Sequence, residues 1–178
     1  MKALLGNGFS FYAFALILYL LKQDICDPIL LLWFEVSWFK GNFMSDLTNK
    51  EIVAGFFEIY NNKDYQAMYR YFVPNYYDHG LPQVRSIEDA IVILKQTHSS
   101  FPDLQVTIDD LIEENNQVVF RGHFTGTHLG EFVGFPPSGL RVEFEALEIF
   151  KLDNQKITES WGYWPMMDIL NQINQPRP

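Results

Sequence analysis

Few side chains of this 178-residue chain can carry chemistry. The histidines are His79, His98, His123 and His128, and the single cysteine is Cys26. One cysteine excludes an internal disulfide and any cysteine-based zinc site. His123 and His128 are an odd number of positions apart. On a strand they would point to opposite faces, so they cannot chelate one ion together. No His/Asp/Glu set shows metal spacing, so no metal is expected. Arg121 and His123 share a strand face and could polarise a carbonyl oxygen as an oxyanion hole does. Gly122 between them obscures which face looks inward. Ser138 has no histidine two or three residues away, which argues against covalent catalysis. His98, in the last turn of a helical stretch, reads as a charge that offsets the helix dipole.

Among the acids, Glu159 stands out. Ile157, Glu159, Trp161 and Tyr163 alternate along one face of a strand. If that face lines a cavity, a carboxylate beside Trp161 should have a raised pKa and suit a general base. The other reading pairs Glu159 with Arg121 or another cation, as an ordering contact.

The elements that must hold these residues follow from pattern and punctuation. Hydrophobic residues are 48% of the chain and aromatics 16%, enough for one domain with a core or cavity walled by flat rings. A net charge of −9 argues against nucleic acid. Residues 1–43 differ from the rest, with apolar runs "FSFYAFALILYLL" and "ILLLWF". They read either as a stretch upstream of a true start at Met44, giving a cytoplasmic protein, or as a signal or membrane anchor giving a membrane-associated or exported one. From Met44 the chain reads as one domain, 44–178. Thr48 and Glu51 form a capping box that opens a helix over 48–61. Tyr65, Met68, Tyr69 and Phe72 suggest a short second helix ended by Pro74. A third runs from Ser86 to about Ser100. Strands follow at 104–112, 117–127, 140–152 and 156–164, and Pro165 starts a closing helix. The layout is α+β: helices covering one face of a strongly curved antiparallel sheet.

Several stretches carry a resemblance. "YYDHG" (76–80), "FPDLQVTIDDLIEENNQVVFRGHFTGTHLGEFVGFPPSG" (101–139), "ITESWGYW" (157–164) and "ILNQI" (169–173) resemble the SnoaL-like polyketide cyclases, also called ester cyclases. The resemblance covers about residues 47–174. It implies a cone-shaped α+β barrel with an apolar cavity, the fold shared with ketosteroid isomerase, limonene-epoxide hydrolase and nuclear transport factor two. It implies that 125–139 joins two long strands at the rim, its glycines and prolines structural, with His128 and Glu131 able to reach a ligand. It also implies a cofactor-independent reaction in which a cavity-wall Asp moves a proton next to a carbonyl. That Asp stands four residues after the Trp of Glu-x-Trp, and here the position is Pro165. Asp168 lies four after Trp164, but the register of "ILNQI" puts it on the closing helix. Glu159 would share the cavity face of position 165, and His79 follows at a position the family often keeps polar and cavity-facing. The expected site is therefore Glu159 and His79 for catalysis, with Arg121, His123, His128, Trp161 and Tyr163 at the ligand. The expected partner is a small hydrophobic carbonyl compound, for turnover or for binding alone. A homodimer through the outer sheet face is expected too, and membrane contact only if 1–43 is an anchor.

Overall fold

The computed structural model describes residues 47–175, within a compact unit that begins at Leu47. The readings of residues 1–43 fall outside the described residues. Among those described, no helix is long and apolar enough to cross a membrane.

Helix α1 (Asn49–Asn62) starts where the capping box places it. The Thr48 hydroxyl accepts from the Glu51 N–H at 3.2 Å, and the Glu51 carboxylate accepts from the Thr48 N–H at 2.7 Å. Its stripe of Ile52, Val53, Phe56, Phe57 and Tyr60 is buried. The expected second helix is only a single 3-10 turn, Ala67–Arg70, followed by strand β1 (Phe72–Asp78). Pro74 lies inside that strand. It is tolerated because β1 is an edge strand and its pairing is irregular between Phe72 and Tyr77, so no ladder N–H is missed. Helix α2 (Ile87–Ser100) is capped by the Ser86 hydroxyl, which accepts from the Asp89 N–H. Strands β2 (Gln105–Glu114), β3 (Gln117–Thr127), β4 (Arg141–Asp153) and β5 (Lys156–Tyr163) form a meander, and α3 (Met166–Ile173) closes the chain. Pro165 is the N-cap of α3 rather than its first residue.

The sheet order is β1-β5-β4-β3-β2. It differs from the expected antiparallel barrel in two ways. Strand β1 runs parallel to β5, so the sheet is mixed. It is also curled without closing, with β1 and β2 as edges. Three helices on a curled five-stranded sheet is the α+β cone expected.

Register decides which residues face the helices. Phe120 pairs with Glu148 and Glu148 with Gly162; Val118 pairs with Phe150 and Phe150 with Ser160. These rows form the inner face, where Val118, Phe120, Phe150 and Ser160 are almost fully buried. Arg121, Leu147 and Tyr163 form a row on the outer face. Strand β5 keeps its inner residues only through a bulge. Leu152 pairs with Ile157, but Lys151 pairs with Glu159, so Thr158 is the extra residue.

The rim segment has the structural role expected. Phe132 and Phe135 bridge each other across a turn in which Val133 and Gly134 take positive φ. His128 is fully buried, and its Nδ1 accepts from the Ser138 N–H at 3.2 Å. Burial lowers its pKa, so it ties the rim together as a neutral ring.

Candidate functional site

The bulge at Thr158 reverses the strand face on which the expected site depended. Ile157 and Ser160 point inward, and Glu159, Trp161 and Tyr163 point outward. A one-residue slip moves every following side chain to the other face.

The structure does bring His79, Glu159 and Trp161 together, on the outer side. His79 Nε2 lies 2.9 Å from Glu159 Oε2, and its ring stacks on Trp161 at 4.2 Å between centroids. Lys151 Nζ donates to Glu159 Oε1 at 2.6 Å. The Lys151 bond, then the His79 contact, hold the Glu159 carboxyl below its usual pKa, the reverse of the raised value expected for it. These are the surroundings of the ordering reading, with Lys151 in place of Arg121.

Arg121 and His123 are outward as well. Arg121 donates from Nε and Nη2 to Asp110 Oδ2 at 2.8 and 2.6 Å, and from Nη1 to Glu145 at 2.8 Å. His123 Nδ1 lies 2.5 Å from Asp109 Oδ2. Asp109, His123 and Glu145 each bring one ligand atom within 4.8 Å of the others. Spacing along the chain could not show this set, because its members come from three strands and Asp109 sits at a bulge in β2. Arg121 fills the same space, so the protein itself meets the cluster's charge.

A different set of polar groups occupies the inner face. Glu148 points inward from β4 between Phe120 and Gly162. Gly162 lies directly across from it: a Cβ there would sit in ordinary contact, 3.6 Å from the Glu148 carboxyl carbon. Removal from water is the main cause that raises the Glu148 pKa, to about 8; the charge of Asp78 adds to it and the Ser160 hydroxyl opposes it. Glu148 is half-buried rather than sealed, so it remains reachable. Ser160, fully buried, shares a 2.6 Å hydrogen bond with the Tyr76 hydroxyl. Asp78, at the end of β1, is also raised by burial. Its Oδ1 accepts from the N–H groups of Gly80 at 2.8 Å and Leu81 at 3.1 Å, which favour its charged form.

Sequence reasoning passed over Glu148, although a signal was present. Val142, Phe144, Ala146, Phe150 and Leu152 alternate as the buried side of β4, and position 148 is the one acid in that series. His98 also differs from its reading. It is buried against Tyr65, whose hydroxyl is 2.9 Å from Nδ1, and burial lowers its pKa to about 4. A neutral ring does not offset a helix dipole.

An open groove of about 790 Å³ runs along β4 and α3, lined by Arg121, Leu147, Tyr163, Trp164, Pro165 and Asp168 among others. Position 165 therefore lines a groove, but Glu148 does not.

A family model of SnoaL-like polyketide cyclases matches residues 50–173. The chain belongs to that family. Solved structures agree with this membership. TsrD from Streptomyces laurentii is 26% identical, with a TM-score of 0.66 over 70% of this chain and 93% of its own. IdmH from Streptomyces antibioticus is 25% identical, with a TM-score of 0.66 over 72% of this chain and 100% of its own. A SnoaL-like protein from Jannaschia, 24% identical with a TM-score of 0.67 over 72% of this chain and 93% of its own, shares the fold. Among curated proteins none matches the chain. The inner carboxyl of this chain comes from β4, and Pro165 caps α3 at the groove.

Proposed function

We propose that this protein performs cofactor-independent acid/base chemistry on a small hydrophobic carbonyl compound, with Glu148 as the group that holds and moves the proton. The observation that carries this is the placement of the Glu148 carboxyl on the inner face, among aromatic rings, with a pKa raised to about 8. A carboxyl poised near neutrality can give or take a proton next to a carbonyl. Asp78 is the second carboxyl of the pair, and its two backbone N–H donors support a charged form, which suits the base in a step where Glu148 is the acid. Ser160 and Tyr76 position Glu148. His79 and Glu159 act outside this centre, as a contact that orders the β1–β5 edge.

A second reading, a binding module without turnover, is favoured by Pro165 at the position of the family's acid. One experiment separates the two. Small ketones and lactones are screened for a rise in melting temperature, and those that bind are assayed for turnover. Turnover that falls about 10²–10⁴-fold in Glu148→Gln, with binding retained, supports the acid/base reading. Binding without turnover supports the module, and turnover unchanged in Glu148→Gln removes Glu148 from the chemistry.

The outer face fits a second copy of the chain. Ile112, Val119, Ile149 and Trp161 form one apolar row across four strands, with Leu147 and Tyr163 beside it. Tyr163 is 71% exposed and Ile112 63%. A pairing that buries more than about 1,000 Å² would cover both rows. Sedimentation showing only monomer at micromolar concentration would overturn it.

A further inference from the structure

We infer that the groove along β4 and α3 seats an extended segment of a partner protein, in which a basic residue stands between two apolar ones. The segment adds a short strand at Glu145. The site goes beyond the acid/base reading and uses none of its residues.

The backbone carries the inference. On the α3 side of β4, the Glu143 N–H donates to Gln172 Oε1 and the Glu143 carbonyl accepts from Gln172 Nε2, both at 2.8 Å. Leu147, further along the same edge, pairs with Tyr163. Glu145 lies between them, and its N–H and C=O face that edge too, because strand backbone groups alternate sides. Continuing the β4–β5 register puts Pro165 opposite Glu145. A proline has no N–H to give. The Pro165 carbonyl accepts instead from the N–H groups of Asp168 at 2.9 Å and Ile169 at 3.1 Å. Neither Glu145 group has a hydrogen-bond partner among the described residues. The groove of about 790 Å³ opens at this point, with Glu145 and Pro165 both in its wall. One donor and one acceptor on a strand edge match one residue of an extended peptide, running antiparallel to β4 as β5 does.

Alternation then sets the composition of the segment. A residue opposite Glu145 points its side chain to the outer face, where Glu143 and Glu145 are exposed. Arg121 is already held by Asp110 and Glu145, and Glu143 takes no part in that network. A lysine opposite Glu145 reaches Glu143 on the diagonal. Its two neighbours point to the other face, where Phe144 and Trp164 line the groove with ring centroids 5.3 Å apart. Apolar side chains fit against those rings. Leu147 and Tyr163 also line the groove and belong to the rows offered to a second copy, so the experiment must separate the two occupants.

The test uses the full chain, isotope-labelled for amide NMR, and the peptide acetyl-Val-Lys-Val-amide. The expected result is that this peptide moves the Glu145 amide resonance and slows its hydrogen exchange. A methyl group on the backbone nitrogen of the lysine should weaken binding about 10-fold or more, through loss of one hydrogen bond. Acetyl-Val-Glu-Val-amide should bind about 5-fold or more weakly than the lysine peptide. Glu143→Lys, at an exposed side chain, should reverse that preference. Failure of the lysine peptide to bind, equal binding of its methylated form, or an unmoved Glu145 amide each overturns the strand seat. A preference unchanged in Glu143→Lys overturns the basic residue. A dimer by sedimentation, with Glu145 exchange already slow and the peptide excluded, assigns the groove to the second copy and overturns the partner segment. Turnover in Glu148→Gln is a separate readout that none of these results moves.

Discussion

Glu148 and Glu159 are the same residue type on neighbouring strands, and the sheet treats them oppositely. Glu159 faces outward between Lys151 and His79, and its pKa is lowered. Glu148 faces inward among aromatic rings, and its pKa is raised to about 8. Neither the side chain nor the local sequence sets this difference. A carboxylate in reach of a cation keeps its charge at little cost, while one removed from water holds its proton. The side of the sheet determines which carboxyl can exchange a proton near neutrality, and on β5 that side is set by one extra residue, Thr158.

The most severe way to break the contrast is to delete Thr158 together with Glu159. Deleting Thr158 alone leaves Ile157, Glu159 and Ser160 opposite Leu152, Lys151 and Phe150 in an unbroken ladder, with every face kept. The turn before it cannot supply slack for a second lost residue. Asp153 pairs with Lys156, and only Asn154 and Gln155, both at positive φ, lie between them. The double deletion must therefore move either Ile157 or Ser160, both fully buried, to the wrong face. The expected loss is at least about 3–5 kcal/mol, comparable to emptying a large core site. Chemical denaturation measures it. A double-deletion variant as stable as the parent, or a Thr158 deletion as damaging as the double one, would show that this bulged register does not set the faces.

That bulge also marks the limit of what the sequence could show. Most of the fold was legible, because capping at Thr48 and Ser86, alternation along β3 and the breakers between strands are local signals. Strand β1 was not, since Tyr65, Met68, Tyr69 and Phe72 mimic a helical stripe and only pairing with β5 decides otherwise. The site was less legible than the fold. Strict alternation carried Glu159 to the same face as Ile157, and an inserted residue reverses that parity without any Gly or Pro to announce it. His79, Glu159 and Trp161 were correctly grouped, yet they meet on the outer side. Glu148 was visible as an acid within an apolar alternation. Asp78 stood next to the histidine that drew attention instead.

Next in size is a pH effect. A carboxyl whose folded pKa lies above its unfolded value binds its proton more tightly in the folded state. For Glu148 stability is then greatest below its ordinary value of 4.5 and declines as pH rises to about 8. Glu148→Gln removes the titration. The variant should match the parent near pH 4.5 and exceed it by on the order of a few kcal/mol at pH 8.5. Denaturant melts across that range measure the gap. Equal slopes in the two proteins would mean that Glu148 ionises as freely folded as unfolded, and its contrast with Glu159 would vanish.

The smallest effect belongs to Glu159. Its pair with Lys151 is short, 2.6 Å, but the two side chains are 29% and 39% exposed, so water screens much of the attraction. Exposed pairs of this kind contribute about 0.2–1 kcal/mol, and Glu159→Gln should lose no more than that at pH 7. Its sign with pH is opposite to that of Glu148. A carboxyl whose folded pKa is lowered adds stability above its unfolded value of 4.5 and loses it as pH falls through the lower folded one. The difference between parent and Glu159→Gln should therefore shrink to nothing in acid, while that between parent and Glu148→Gln grows in base. The His79–Trp161 stack remains in the variant, so a nearly unchanged tryptophan emission would show that the edge is still formed. A loss of several kcal/mol at pH 7, or a gain on raising the pH, would place Glu159 in a drier setting than its partners describe and would return it to the acid/base role.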